Sequence, residues 1–220
     1  MAELIRGLDP ARIRANLTRI RAEIAAAAAE CGRDPGGIEL LAATKYVATE
    51  DMPLLAQAGV TLAGENRAQD LEAKAAATGE TFTWDFIGHL QSRKVRQVLP
   101  LVRYVHSVSS DSVLEQLGRH GNDRTRVLIE VNIAGDPGKS GISAAQLPGF
   151  IERCPVVVVG LMTMPPLTAS AEDSRRHFEA LRELAQRHGL AELSMGTSQD
   201  YVVAVHEGAT IVRLGSSLYR

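Results

Sequence analysis

Two segments near the end of the chain combine glycine with small hydroxyl residues directly after an apolar run. They are Ser194-Met195-Gly196-Thr197-Ser198 and Gly215-Ser216-Ser217. Backbone N–H groups and hydroxyls in such loops suit a phosphate dianion. Each segment by itself is more typical of a tight turn with a helix cap, whereas the two together, at the positions described below, favour phosphate.

A lysine stands at the end of the first apolar run, because Lys45 follows Ile38–Ala43 and Thr44. An amine in a partly desolvated pocket is more readily neutral, and a neutral amine can attack an aldehyde. A solvated lysine at a strand end, or a simple counter-ion for phosphate, explains the position equally simply. The sequence leaves these three roles open.

Two further polar residues lie in or beside apolar runs. Arg213 stands between Val212 and Leu214, so a buried guanidinium there needs a partner. That partner is either a structural carboxylate or a ligand. Asn66 follows the second run, and by itself it is more typical of a helix N-cap than of a ligand contact.

Other motifs give no support to competing chemistry. The segment Gly138-Lys139-Ser140 looks like the end of a P-loop, but Ile133 stands where that motif requires glycine. The six histidines show no metal-ligand spacing. No GxSxG nucleophile motif occurs. We therefore expect neither a P-loop nucleotide site nor a metal site.

The elements that must position these residues alternate along the chain. The predicted strands are 38–43, 60–63, 82–87, 104–106, 126–133, 156–161, 190–194 and 210–214. The predicted helices are 10–31, 50–57, 66–77, 91–98, 110–119, 143–152, 171–188 and 199–206. Such alternation indicates a parallel sheet with crossover helices.

Eight β/α units predict an α/β fold, a single-domain (β/α)8 barrel of the TIM type over residues 1–220, with a doubly wound open sheet as the alternative. Sites in such barrels lie at the carboxyl ends of the strands, and phosphate often binds after strands seven and eight. The two glycine-rich segments occupy those positions. Strand one closes against strand eight, which puts Lys45 beside them. The additional N-terminal helix either closes the bottom of the barrel or replaces a helix missing after the last strand.

Composition is that of an ordinary globular protein, with 45% hydrophobic and 23% charged residues and a net charge of −2. Lys+Arg (24) does not exceed Asp+Glu (26), so we expect no nucleic-acid partner. The chain has no apolar stretch of membrane-spanning length and no signal-peptide pattern. Two cysteines outside any CxxC motif fit reduced thiols, and we expect a cytoplasmic monomer.

Seven segments carry a resemblance to a known family. They are LLAATKYV around Lys45, AGENRAQD around Asn66, WDFIGHLQSRK, VNIAGDPGKSGI, GLMTMPP, LSMGTSQD and TIVRLGSSLY. With these segments the chain resembles the pyridoxal phosphate (PLP) homeostasis family, one-domain PLP-binding proteins similar to the N-terminal domain of alanine racemase.

The resemblance implies that PLP is the cofactor and that Lys45 holds it covalently as a Schiff base, N6-(pyridoxal phosphate)lysine. Arg213 matches the arginine that faces the pyridine nitrogen, and Asn66 matches a residue near the ring. The family's phosphate loops match Ser194, Gly196, Thr197, Ser198, Gly215 and Ser216. Arg67 and Arg93 depart from the residues common in the family and make the mouth of the barrel more basic.

The resemblance also implies a function, which is to carry, buffer and deliver PLP to apo-enzymes inside the cell. A guanidinium leaves the pyridine nitrogen unprotonated and disfavours carbanion chemistry. A racemase of related fold adds a second domain with a tyrosine base, and we expect no room for it after Arg220. Tyr201 is the one tyrosine expected near the phosphate loops. The alternatives are a one-domain PLP enzyme such as a weak amino-acid racemase, and a sugar-phosphate isomerase with Glu65 as its base.

Overall fold

The computed structural model describes residues 4–166 and 170–220. Within them eight parallel strands close into a barrel in sequence order. The strands are β1 Glu39–Ala43, β2 Leu62–Glu65, β3 Thr83–Phe86, β4 Tyr104–Val108, β5 Arg126–Glu130, β6 Val157–Met162, β7 Glu192–Ser194 and β8 Ile211–Leu214. This confirms the predicted (β/α)8 barrel and excludes the open sheet.

Helices surround the barrel on the outside. They are α1 Pro10–Glu30, α2 Met52–Ala58, α3 Ala68–Thr78, α4 Val95–Val98, α5 Asp111–His120, α6 Leu147–Arg153, α7 Arg175–Arg187, α8 Tyr201–His206 and α9 Ser216–Tyr219. In the described ranges no helix has both the length and the apolar character needed to cross a membrane.

The long helix α1 completes the outer layer. Asp9 caps it by accepting a hydrogen bond from the Ala11 N–H at 2.9 Å. Its buried face carries Ile13, Leu17 and Ile20, and it packs against α2, α8 and α9. Because α9 is a single turn after β8, α1 takes the place of the missing eighth helix, the second of the two expected placements.

Closure of the barrel brings the ends of β1 and β8 together. The two strands pair in parallel, with Leu40 opposite Val212 and Ala42 opposite Leu214. The chain leaves both strands at the same end of the barrel. Residues that follow Ala43 and Leu214 therefore lie side by side, as the sequence predicted for Lys45 and the Gly215 segment.

Several predicted strand boundaries are wrong, among them the end of β4 at Val108, the start of β7 at Glu192 and one boundary each of β2 and β5. β2 begins at Leu62 instead of Val60, because Gly59 (φ 96°) ends α2 and the Val60 N–H bonds to the Leu55 carbonyl at 3.0 Å. β5 ends at Glu130, because Val131 forms only an isolated bridge to Ile142. In both cases local backbone hydrogen bonds override an apolar run.

The barrel interior is narrow and has an apolar layer of Leu41, Leu62 and Ile211. A Cβ atom on Gly64 would lie 2.4 Å from Leu41 Cδ2, so a larger residue there would force the Leu41 side chain to move. A second set of inward-facing side chains is polar and buried, and comprises Asp85, His106, Ser194 and Arg213. Buried polar groups need hydrogen-bond partners inside the protein. The partners of these four side chains are described with the functional site.

Candidate functional site

Backbone N–H groups of Gly215 and of Ser217, in the first turn of α9, converge on one hydroxyl from the loop after β7. Ser198 Oγ lies 3.2 Å from the Gly215 nitrogen, 3.2 Å from the Ser217 nitrogen and 2.9 Å from Ser217 Oγ. We call these three residues the Ser198 cluster. The donors meet where an acceptor oxygen must sit, which is the arrangement that a phosphate oxygen requires. Because α8 and α9 have only 6 and 4 residues, the N–H groups act without the dipole of a long helix.

The other residues of the two loops shape the cluster without joining it. Gly196 has φ 90°, and a Cβ there would lie 2.6 Å from Ala204 Cβ, so the turn requires glycine. The Thr197 N–H and hydroxyl lie 2.7 and 3.1 Å from Asp200 Oδ1 and hold the loop in shape. Ser216 is exposed, whereas Ser217 turns toward Ser198. Sequence reasoning chose Ser216 over Ser217 because the one-turn helix α9, which sets their directions, has no sequence signal.

Lys45 follows the strand that neighbours the Ser198 cluster. Its side chain is half-buried, and Nζ lies 4.9 Å from the centre of the Tyr46 ring. A Cβ on Gly215 would lie 3.8 Å from the carbonyl oxygen of Ala43. The Tyr219 hydroxyl donates to that same oxygen at 3.2 Å. Burial raises the pKa of Tyr219, with a smaller contribution from Glu65, so the phenol stays a donor. These contacts join the end of β1 to the chain after β8.

Glu65 is held in a buried ion pair. Its carboxylate accepts from Lys74 Nζ of α3 and from Thr44 Oγ1, the latter at 2.7 Å. Lys74 also donates to the Thr44 carbonyl at 2.8 Å. The carboxylate that the isomerase alternative needed as a free base is therefore bound by a lysine, and it anchors the residue before Lys45.

Asn66 is not the N-cap that the sequence favoured, because Arg67 occupies that position of α3. The Asn66 N–H donates to Glu65 Oε2 at 3.1 Å. Its Oδ1 atom is buried and has no hydrogen-bond partner among the described residues. A buried acceptor without a partner costs about 1–3 kcal/mol. Such an atom at the mouth of the barrel fits a site that awaits a donor from a ligand.

The Arg213 guanidinium is buried below the mouth and has neutral partners. Nη1 donates to Ser194 Oγ at 2.5 Å and Nη2 to the Thr163 carbonyl at 3.0 Å. Burial lowers the pKa of Arg213 to about 10, against the opposing fields of Glu130 and Asp200. No described carboxylate forms an ion pair with it, so the structural ion pair considered from the sequence is wrong. The guanidinium is therefore a buried positive charge that is held only by neutral acceptors.

Ser194 lies elsewhere than expected. The sequence placed it in a phosphate loop, but its hydroxyl points into the barrel between Arg213 and His106. Sequence reasoning missed His106 and Asp85, which continue this polar contact across the interior. A histidine and an aspartate on inward positions of apolar strands were the signal that could have revealed them.

Tyr201 does not face the phosphate loops. Its hydroxyl donates to the Glu23 carboxylate on α1. Burial and Glu23 together raise the pKa of Tyr201 to about 12. The phenol therefore fastens α8 to α1. Arg67 and Arg93, which the sequence placed at the mouth, are both exposed.

The donor set has a recognisable chemistry. It offers N–H and hydroxyl donors for a phosphate oxygen, a lysine amine one strand away, a buried guanidinium and an unpartnered amide oxygen. These groups fit PLP, which carries a phosphate, an aldehyde and a ring nitrogen. Among the described residues no cluster of three or more His, Cys, Asp or Glu side chains could hold a metal ion.

No family model matches the chain, but individual proteins do. The pyridoxal phosphate homeostasis protein of Aquifex aeolicus is 37% identical over 217 residues, covering 92% of this chain and 95% of that protein. The protein of the same name from Pseudomonas aeruginosa is 34% identical over 214 residues, covering 93% of each chain.

Solved structures agree with these relatives. PipY of Synechococcus elongatus with PLP bound superposes with a TM-score of 0.77 at 29% identity, over 94% of this chain and 100% of that one. Alanine racemase from Corynebacterium glutamicum shares the fold, with a TM-score of 0.70 at 15% identity over 96% of this chain and 61% of that one. At 37% identity over nearly its full length, the chain belongs to the pyridoxal phosphate homeostasis protein family.

Proposed function

We propose that this protein binds PLP at the carboxyl end of the barrel and serves in PLP homeostasis as a carrier that buffers and delivers it. The observation that carries the proposal is the Ser198 cluster, whose donors converge beside strand β1, which Lys45 follows. The PLP-bound structure of PipY, at 29% identity, supports it. The proposal treats residues 1–220 as a single PLP-binding domain.

In this proposal the phosphate replaces Ser198 Oγ as acceptor of the Gly215 and Ser217 N–H groups, and the Ser198 hydroxyl becomes a further donor to the phosphate. The turn residues of the same two loops, which are Gly196, Thr197 and Ser216, give the loops their shape and complete the phosphate site. Asn66 Oδ1 obtains a hydrogen-bond donor at the ring. Arg213 directs an N–H at the ring nitrogen, and Ser194 acts through Arg213.

Lys45 is the residue we assign to covalent attachment. PLP supplies an aldehyde carbon with which a lysine amine condenses reversibly, forming a C–N bond and releasing the aldehyde oxygen as water. Lys45 is half-buried, so its amine is accessible to a ligand. Reversibility suits delivery, because another amine can take the place of Lys45.

We favour carriage over amino-acid turnover on two structural grounds. A guanidinium donates a hydrogen bond to the ring nitrogen but does not give up its proton, so the ring is a poor electron sink. Racemisation also needs an acid and a base on opposite faces of the cofactor, and the Tyr201 hydroxyl is bonded to Glu23. We propose that the protein acts as a monomer in the cytoplasm and that its partners are apo forms of PLP enzymes.

The test is the absorption spectrum of the purified protein after addition of PLP. We expect a yellow protein whose long-wavelength band disappears on borohydride reduction, leaving a pyridoxyl group on the peptide that contains Lys45. Lys45→Ala should lose the reducible band yet retain weak PLP binding through the phosphate. Lys139→Ala, which removes an exposed lysine in the loop after β5, should behave like the unmodified protein. A colourless protein that fails to bind added PLP would refute the proposal.

A further inference from the structure

A chain of hydrogen-bonded side chains crosses the interior of the barrel beneath Arg213. Arg213 Nη1 lies 2.5 Å from Ser194 Oγ, His106 Nδ1 lies 2.8 Å from the same Oγ, and His106 Nε2 lies 3.2 Å from Asp85 Oδ2. Ser194, His106 and Asp85 come from three different strands, and their side chains have little or no exposure to solvent. We call these three residues with Arg213 the interior chain.

The far end of the interior chain is an ionised carboxylate. Asp85 accepts from Arg103 Nη2 at 2.7 Å, from Arg103 Nε at 3.1 Å and from the Tyr104 N–H at 3.1 Å. Burial alone would raise the pKa of Asp85, but the bonds from His106 and Arg103 together lower it. Asp85 is therefore an acceptor only, and the His106 nitrogen facing it must carry a proton.

Donor and acceptor can be assigned for each hydrogen bond of the interior chain. Complete burial lowers the pKa of His106, although Asp85 opposes this effect, so the imidazole is neutral. With its proton on Nε2, the imidazole leaves Nδ1 as an acceptor for the Ser194 hydroxyl. Ser194 Oγ donates to His106 and keeps its lone pairs for Arg213. Each of the three hydrogen bonds from Arg213 to Asp85 thus joins one donor to one acceptor.

We propose that Ser194, His106 and Asp85 position the Arg213 guanidinium for the ring nitrogen of PLP, with His106 in the Nε2–H tautomer fixing the orientation of Ser194. The inference rests on the proposed function and extends it to residues that do not contact the cofactor. Ser194 and the Thr163 carbonyl hold two corners of the guanidinium fork. Because the guanidinium is already held in one orientation, its side chain loses less conformational entropy when the ligand binds. His106 and Asp85 are positioning residues. The interior chain has the buried Arg213 cation at one end and the Asp85 carboxylate at the other.

The first test needs no cofactor. Nitrogen-15 NMR of the imidazole groups in the apo-protein should show a neutral histidine whose proton is on Nε2 and whose signal persists at pH 5, and this signal should be missing from His106→Asn. A doubly protonated His106, or the Nδ1–H tautomer, would overturn the proposed chain.

The second test compares PLP with its analogue in which carbon replaces the ring nitrogen. The unmodified protein should bind PLP about tenfold more tightly than the analogue, the effect of one lost hydrogen bond to a charged group. His106→Leu and Ser194→Ala should each lose this preference, because their affinity for PLP falls while that for the analogue is unchanged. His106→Asn keeps an acceptor near the Nδ1 position and should therefore retain part of the preference for PLP over the analogue. His177→Asn, on the outer helix α7, should retain all of it.

The two tests distinguish failure of the positioning role from failure of PLP binding itself. If both variants lost affinity for PLP and for the analogue equally, the interior chain would have only a structural role. The proposal that the protein binds PLP would be unaffected. If the unmodified protein bound neither compound, the proposed function and this inference would both fail. Because Ser194→Ala leaves the contact between His106 and Asp85 intact, it still tests the inference if His106→Leu does not fold.

Discussion

The ammonium group of Lys74 on α3 forms an ion pair with the Glu65 carboxylate at the end of β2, and both side chains are buried. The pair lies between two site residues. Glu65 binds the Thr44 hydroxyl, next to Lys45, and the N–H of Asn66. One buried contact therefore holds the ends of β1 and β2 in place beneath the site.

Glu65→Gln should destabilise the fold, because it leaves the Lys74 charge buried without a counter-charge. We expect the free energy of unfolding to fall by about 3–5 kcal/mol, and the double variant Glu65→Gln/Lys74→Met to regain much of this loss. Urea unfolding followed by circular dichroism measures both. Glu115→Gln, in an exposed ion pair on α5, should cost less than about 1 kcal/mol. Equal losses in the buried and exposed variants would contradict the interpretation.

The Ser198 cluster should account for affinity toward the phosphate group. Ser198→Ala removes a hydroxyl from the cluster, and Gly215→Glu adds a negative charge beside it. Each charge-assisted hydrogen bond that is lost should lower the affinity for PLP about 10- to 100-fold. Thr18→Ala on the exposed face of α1 serves as the control for equilibrium titration. Pyridoxal, which lacks the phosphate, should bind weakly to the unmodified protein and equally weakly to Ser198→Ala. Unchanged PLP affinity in both cluster variants would mean that the phosphate binds elsewhere.

Gly88→Ala should disturb Asn66 without altering it chemically. The added methyl group would lie 2.2 Å from the Asn66 carbonyl oxygen, so the backbone that presents Asn66 Oδ1 must move. We expect PLP affinity to fall about 2- to 10-fold, as for Asn66→Ala, the effect of one neutral hydrogen bond. Gly118→Ala on α5, where the nearest heavy atom would be 3.6 Å away, is the matched control. Full affinity in both Gly88→Ala and Asn66→Ala would remove Asn66 from the site.

His106 should make the fold sensitive to acid. Its pKa is lowered in the folded state by burial, so its contribution is complete above the ordinary pKa of about 6.5 and is lost as the pH falls below that value. In that window the unfolded chain takes up a proton that the folded chain excludes. The free energy of unfolding should therefore decline by up to about 1.4 kcal/mol per pH unit from this residue.

Urea titrations at pH 7 and pH 5 check this expectation in the unmodified protein and in His106→Asn. The variant should lose less stability between the two values, because its amide does not titrate. The carboxylates and the partly buried His177, whose pKa burial also lowers, contribute equally to both proteins. Identical changes in the two proteins would show that folding does not lower the pKa of His106.

Hydrogen exchange at the α-carbon of amino acids in heavy water distinguishes a carrier from an enzyme. We expect slow exchange, together with activation of an apo-enzyme mixed with the loaded protein. Exchange at about 1 per second or faster, abolished by Lys45→Ala, would instead support the racemase alternative. Failure to activate any apo-enzyme, with slow exchange, would restrict the role to PLP storage.

The order of elements could be predicted from the sequence, because apolar runs of strand length alternate with helical periods. The same order places the two glycine-rich loops and Lys45 at neighbouring strand ends, since a closed parallel barrel allows no other arrangement. Boundaries such as that of β2 were missed because one local hydrogen bond at Val60 outweighs the apolar pattern.

The direction of each side chain was decided only by the tertiary structure. The sequence grouped Ser194 with Ser198, but the last residue of β7 points into the barrel, whereas a hydroxyl four residues later meets the chain after β8. Asp85 and His106 became partners because barrel curvature and strand register bring β3, β4 and β7 around one buried guanidinium. Residue types and spacing along one chain determined which chemistry is available, and packing between distant strands determined which groups meet, because hydrogen bonds act over about 3 Å in space whatever the separation in sequence.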